Sequence, residues 1–332
     1  MARLEHMVRT SVEDLEDSLG MKKLDHYVHE CEAVFLSRVD EIAARVASDP
    51  RIQAVFISGP TASGKTTFND RLAGALQLHG RATEKISLDD YYLYGQDGVP
   101  TDGQGRPDYE STVTLDLALM SRQLADLLAG GEAVVPHFDF TRRVRVAGLG
   151  RSVRIPANGV LLVEGLHGLS REISGSLPRE SFLGIFIMPY GSLVGDRQLL
   201  DMRDMRILRR ICRDVLHRSA SAIETLDYWP MIDHSEETCF RQYLADADEY
   251  VNSAMPYEFC VVDPIAAGHL AVSLKDVAEG RVQGSWFLGR ESFADLPGAL
   301  SEARRLISAI SHVPRAEPSF VPDSSILIEF IR

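Results

Sequence analysis

The chain has 332 residues, 45% hydrophobic and 25% charged, enough for one large or two modest globular domains with a buried core. No stretch approaches the roughly 18–20 apolar residues that cross a bilayer, and the opening residues carry no secretory signal pattern, so a cytoplasmic protein without a membrane partner is expected. A net charge of −13 excludes nonspecific nucleic-acid binding and requires any anionic ligand to be met by a local island of positive charge.

Residues 11–49 read as helical, with apolar side chains at mixed three- and four-residue spacing, and Asp49-Pro50 ends them. IQAVFIS (52–58) is a short β-branched apolar run of the kind that forms a buried parallel strand. A glycine loop follows, then a helix from about Lys65 to Leu78. KISL (85–88) reads as a second strand ending at Asp89-Asp90, and residues 95–107 as a Gly-, Asp- and Pro-rich surface loop. A helix over Leu115–Leu128 closes at Gly130-Gly131. AVVPHFDF and RVRVAGLGRSVRIP are short extended segments that suit a hairpin. GVLLVEG (159–165) and FLGIFIMP (182–189) are further buried strands, and 197–218 is a strongly charged helix. EFCVVDP (258–264) is expected as the last sheet strand. An amphipathic helix near 294–311 and a short apolar end, SILIEFI, complete the tail.

Strands alternating with helices predict an α/β fold with a central parallel sheet flanked by helices, and ligands beyond the carboxyl ends of the strands. The expected organisation is an N-terminal helical extension over 1–50, a core over 51–264 with a lid at about 192–230, and a C-terminal extension over 265–332 packing on the core. The four cysteines, Cys31, Cys212, Cys239 and Cys260, lack metal-ligand spacing and read as buried thiols in a reducing compartment.

Residues 59–66 are GPTASGKT, an intact G-x-x-x-x-G-K-[ST] phosphate loop between an apolar strand and a helix. Its glycines let the backbone wrap around phosphate with N–H groups pointing inward. The candidate nucleotide contacts are Gly59, Pro60, Thr61, Ala62, Ser63, Gly64, Lys65, Thr66 and Thr67. Lys65 reaches the β- and γ-phosphates, and the Thr66 hydroxyl is a ligand for Mg²⁺. Glu164 follows VLLV directly, where a carboxylate can hold the metal or its water shell; a turn-capping acid is the plainer alternative. Asp89 follows KISL and can orient and deprotonate an acceptor hydroxyl, with a helix cap or turn as its alternative. Between Arg197 and Arg218 seven arginines face three aspartates, Asp201, Asp204 and Asp214. Arg206, Arg210 and Arg213 share one helical face, and Arg209 pairs with Arg213 at i+4. Guanidinium groups on a closing helix would stabilise migrating phosphoryl charge and exclude water; a solvated helix with intrahelical ion pairs is the plainer alternative.

In order, GPTASGKTTF, ISLDDYY, RPDYES, LLVEGLHGL and LRRICRDVLHR resemble the uridine kinase/phosphoribulokinase family over roughly residues 52–263, with SAIETLDYWPMI and the tail resembling a bacterial uridine kinase-like branch. The resemblance implies a P-loop kinase fold with an arginine-bearing lid helix, ATP and Mg²⁺ as cofactors, and a small hydroxyl acceptor, foremost the 5′-hydroxyl of uridine or cytidine. It also points to a homo-oligomer. It implies that Asp89 is the catalytic base and takes part in metal binding with Thr66 and Glu164. Asp108 would hold ribose hydroxyls. Arg210 and Arg213 would be catalytic lid arginines, with Arg209 and Arg218 at the nucleotide. Tyr92, Phe138, Arg143 and Arg210 complete the acceptor set beside Asp89 and Asp108.

Departures concern the acceptor. Phe138 and Arg143 stand where uridine–cytidine kinases carry a tyrosine and a histidine, and Ala220 replaces a lid arginine. Phe138 can still stack on a base, whereas Arg143 would attract an anionic acceptor. A sugar, a sugar phosphate or another metabolite is therefore the alternative acceptor. From another class, a nucleotide-dependent regulator remains an alternative, although no guanine-reading N-K-x-D is present and Glu164-Gly165 differs from motor ATPase patterns. His137 and His167 lie near the expected site and read as structural.

Overall fold

The computed structural model describes residues 6–93, 99–139, 142, 144–175 and 177–332. The first elements are β1 (Val8–Ser11), α1 (Val12–Ser18), α2 (Met21–Ser48), β2 (Ala54–Ser58), α3 (Lys65–Leu78) and β3 (Thr83–Ser87). Next come α4 (Leu117–Leu128), β4 (Ala133–Val135), β5 (Phe138–Asp139), β6 (Val144–Arg145), β7 (Arg151–Val153) and β8 (Val160–Glu164). They are followed by α5 (Arg171–Ser174), β9 (Phe182–Met188), β10 (Gly191–Val194) and β11 (Gln198–Leu200). The chain ends with α6 (Met202–His217), α7 (Ala222–Asp246), β12 (Glu249–Asn252), α8 (Glu258–Ala278) and α9 (Leu296–Ile310).

The central sheet is parallel, in the order β12-β9-β2-β8-β3. Its inner strands are apolar throughout because both faces are covered. Val55 and Ile57 of β2 join the core beneath α2, α3, α6 and α8, while Ala54 and Phe56 face the opposite core with α4. Period-two alternation thus divides one buried run between two apolar layers. In register, Ile57 lies opposite Glu164 and Glu164 opposite Ser87. The carboxyl ends of β2, β8 and β3 therefore finish level, so whatever follows each strand meets its neighbours there.

The segment EFCVVDP corrects the sequence reading: it is the first part of α8, and the fifth strand is the overlooked EYVN of β12. Phe259, Cys260, Val261 and Val262 are all buried, so the run shows no helical periodicity, and an apolar run without a polar face looks the same as a buried strand. Pro264 falls inside the helix rather than ending it. The helix expected from residue 11 starts at Val12, because residues 8–11 form β1, which pairs with β10, and Ser11 caps α1 through a capping box with Asp14. The charged helix starts later than expected, at Met202, where Asp201 and Asp204 form a second capping box. The extended segments after α4 form two separate antiparallel pairs, β4 with β7 and β5 with β6.

The tail returns to the core. The Ala316 N–H donates to the Cys260 carbonyl, and the Tyr257 hydroxyl bridges Ser325 and the buried Glu32 of α2. Val321, Ile326, Leu327 and Phe330 are buried in the same apolar layer as α2 and α3. No described helix is long and apolar enough to cross a membrane.

Candidate active site

The loop between β2 and α3 wraps over the sheet end because two glycines permit it. A Cβ on Gly59 would lie 2.1 Å from the Ile187 carbonyl oxygen of β9. Gly64 caps α3 at φ +80°, and a Cβ there would meet the Ile326 side chain at 2.4 Å. Ala62 is held at φ 58°, a conformation unusual for a residue with a side chain. Ser63 is fully buried, and its Oγ has no hydrogen-bond partner among the described residues. Thr66 and Thr67 lie in the first turn of α3, with Thr66 exposed. Lys65 folds back over the loop, its Nζ donating to the carbonyls of Gly59 (2.9 Å) and Pro60 (2.8 Å). Burial pushes the Lys65 pKa down, while the Glu164 and Asp89 carboxylates pull it up.

Asp89 sits in the single 3₁₀ turn Leu88–Tyr91 that directly follows β3. Burial raises its pKa, opposed chiefly by Lys65 and Arg218. Its neighbour Asp90 turns elsewhere, accepting from the Phe138 N–H at 3.2 Å with His137 Nδ1 at 3.6 Å. Glu164, at the end of β8, accepts from Ser87 Oγ at 2.8 Å. Burial and the nearby Asp89 push its pKa up to about 7, against the pull of Lys65. Two carboxylates at adjacent strand ends are thus harder to ionise, chiefly because both are buried. Among the described residues no group of three or more His, Cys, Asp or Glu side chains could hold a metal ion. Mg²⁺ is ordinarily held by one or two carboxylates together with substrate phosphates, and Glu164, Asp89 and the exposed Thr66 hydroxyl fit that donor set.

Helix α6 presses its arginines against the loop. Arg210 Nη1 donates to Thr61 Oγ1 at 2.9 Å, and Arg213 Nη2 to the same oxygen at 3.2 Å. Arg206 Nε reaches the Thr61 carbonyl at 3.3 Å, and its guanidinium pairs with the buried Glu236. Asp214 gathers the set, lying 3.1 Å from Arg210, 3.3 Å from Arg213 and 3.6 Å from Arg218. Those cations hold its carboxyl down at about 2 despite burial, and burial lowers Arg218 to about 10. Arg209 differs from its expected place at the nucleotide. It is wholly buried, ion-paired with Glu258, bonded to the Ser253 carbonyl at 2.8 Å, and stacked over the Phe330 ring. From there its Nη1 reaches the Ala62 carbonyl at 3.4 Å, so Arg209 braces the loop from beneath.

The chain matches the family model described as Phosphoribulokinase / Uridine kinase family over residues 54–256. The chain belongs to this family. It is a phosphotransferase with an alcohol group as acceptor. It is 26% identical over 183 residues to a uridine kinase of Limosilactobacillus reuteri, covering 53% of this chain and 71% of that protein. A uridine kinase of Halobacterium salinarum is 28% identical over 176 residues, covering 53% of this chain and 68% of its own length. Among solved structures, D-glycerate 3-kinase from Cryptococcus neoformans aligns with 46% of this chain and 72% of its own, at 18% identity and a TM-score of 0.35.

On the other side of this kinase's loop, Asp108 is half-buried, its Oδ1 accepting from Ser235 Oγ (2.6 Å) and the Glu110 N–H (3.1 Å). Tyr92 and Phe138 lie with ring centroids 5.4 Å apart at 49°. Arg143 lies outside the described residues. His167 is structural: its Nε2 donates to the Glu110 carbonyl at 2.6 Å, which leaves Nδ1 to accept from the Tyr243 hydroxyl at 2.7 Å. Reading the sequence missed Glu110, whose Oε1 accepts from Arg210 at 3.3 Å, and the tail residue Ile326 on Gly64. It counted Asp214 only as charge balance, although the i, i+4 spacing to both Arg210 and Arg218 was visible.

Proposed function

We propose that this kinase transfers the γ-phosphoryl group of ATP to the 5′-hydroxyl of a pyrimidine nucleoside. The observation that carries this reading is the convergence of Lys65, Asp89 and Glu164 at the level ends of β2, β3 and β8, under the arginines of α6. The loop amides and Lys65 bind the donor phosphates, for which Lys65 leaves the Gly59 and Pro60 carbonyls. Glu164, Asp89 and Thr66 would hold Mg²⁺, which would supply charge neutralisation and orientation to the donor phosphates. Asp89 accepts the proton of the acceptor hydroxyl. Arg210 and Arg213 stabilise the charge on the migrating group, and Asp214 keeps both guanidiniums aimed at the loop. Arg218 joins them at the nucleotide, and Arg209 supports the loop backbone.

For the acceptor, Asp108 offers a carboxylate to ribose hydroxyls and the Tyr92–Phe138 pair an aromatic surface to a flat base. The relatives named uridine kinase favour the same acceptor class. ADP release measured with ATP and Mg²⁺ against uridine, cytidine, other nucleosides, sugars, ribulose 5-phosphate, pantothenate and inositol tests the reading. Uridine or cytidine should drive turnover above all others. Turnover with a sugar phosphate alone would reject the nucleoside acceptor, and ADP release indifferent to every acceptor would reject transfer to a hydroxyl.

A further inference from the structure

Glu110 stands two residues beyond Asp108, and its backbone is pinned on both sides. Its carbonyl accepts from His167 Nε2 at 2.6 Å, and its N–H donates to Asp108 Oδ1 at 3.1 Å. The side chain is thereby aimed inward, where its Oε1 accepts from Arg210 Nη1 at 3.3 Å. Both partners are largely shielded from water, with side-chain exposures of 6% for Arg210 and 14% for Glu110. The same Arg210 Nη1 also donates to Thr61 Oγ1 in the glycine loop, and its Nε donates to Asp214. Arg210 therefore bridges the loop that would carry donor phosphates and the segment that carries Asp108.

A carboxylate and a phosphate compete for one guanidinium, because each satisfies the same fork of N–H donors. Donor phosphates over Thr61 would draw Arg210 from Glu110 and leave a largely buried carboxylate in need of hydrogen-bond donors. An acceptor hydroxyl beside Asp108 supplies such a donor. We propose that Glu110 is a latch between the two substrates: it holds Arg210 back from the donor phosphates and is released when an acceptor hydroxyl takes the place of the guanidinium. Donor and acceptor then bind with positive coupling, and linkage makes the coupling equal in both directions. The latch rests on the reading of this site as one that binds ATP beside a hydroxyl acceptor. Glu110 is a positioning residue for Arg210 and a contact for the acceptor.

The sign of the effect separates a latch from a merely structural carboxylate. Calorimetric titration of the whole chain with AMP-PNP and with ADP, in Mg²⁺ and without acceptor, reads it directly. Glu110→Gln, and independently Glu110→Asp should the first variant fold poorly, should tighten AMP-PNP roughly three- to tenfold and ADP less. The gain should vanish in an Arg210→Met background, because the latch acts through that guanidinium. Unchanged or weaker AMP-PNP binding in both Glu110 variants, with the wild type binding normally, overturns the latch and leaves the kinase reading intact. A wild type that binds neither nucleotide overturns both.

Discussion

The glycine-loop side and the Asp89 side of the site are built by different means. On the loop side, one contiguous stretch from β2 through α3 supplies backbone donors and Lys65, and the arginines of a single helix press on Thr61. On the Asp89 side, each residue comes from a different segment: Asp89 from the turn after β3, Asp108 and Glu110 from a connecting loop, Phe138 from β5, and Ser235 from α7. The first side is set by backbone geometry and tolerates little change. The second is assembled from side chains, each of which can be exchanged without disturbing the sheet. The departures at Phe138 and Ala220 both fall in segments outside the glycine loop.

The comparison predicts effects of different kinds on the two sides. Asp89→Asn should lower kcat by about 10²–10⁴-fold, the range for loss of a general base, with AMP-PNP affinity nearly unchanged; single-turnover rates and calorimetry check the split. Lys65→Met should cost about 10²–10³-fold and also weaken AMP-PNP, because Lys65 belongs to the donor side in binding as well as in rate. Ile326→Ala leaves a cavity against Gly64 and should cost about 2–4 kcal/mol in urea unfolding while weakening ADP binding, which ties the far end of the chain to the loop.

Glu164→Gln offers the subtlest test. The Glu164 pKa is raised from 4.5 to about 7 in the folded chain, so the protonated form is favoured by folding. Its contribution is complete below about pH 4.5 and is lost as pH rises through about 7. The substitution should therefore flatten the fall in stability across that window, raising the melting temperature at pH 8 relative to wild type, while transfer is lost. A parallel stability profile for the two proteins would remove Glu164 as the source of that fall.

What could be read from the sequence follows the same division. GPTASGKT, with a strand before and a helix after, announced its conformation, because every determinant of it is local. Strand ends also announced Asp89 and Glu164, since parallel sheets align their carboxyl edges. EFCVVDP was misread because total burial erases periodicity, and EYVN was missed because a four-residue edge strand carries too little pattern. The contact of Glu110 with Arg210 joins residues 100 positions apart, and that of Ile326 with Gly64 spans the chain from loop to tail; no local signal encodes either. Arg209 was grouped with its helical neighbours because charge alone does not distinguish a guanidinium that faces the loop from one buried against Glu258.

The most direct measurement follows the fate of the γ-phosphoryl group itself. The chain is incubated with uridine, Mg²⁺ and ATP labelled in the γ-phosphate, and the products are separated. Label should appear in uridine 5′-monophosphate, and Asp89→Asn should slow the formation of that product by about 10²–10⁴-fold. Label found only in inorganic phosphate, with uridine unchanged, would contradict transfer to the nucleoside.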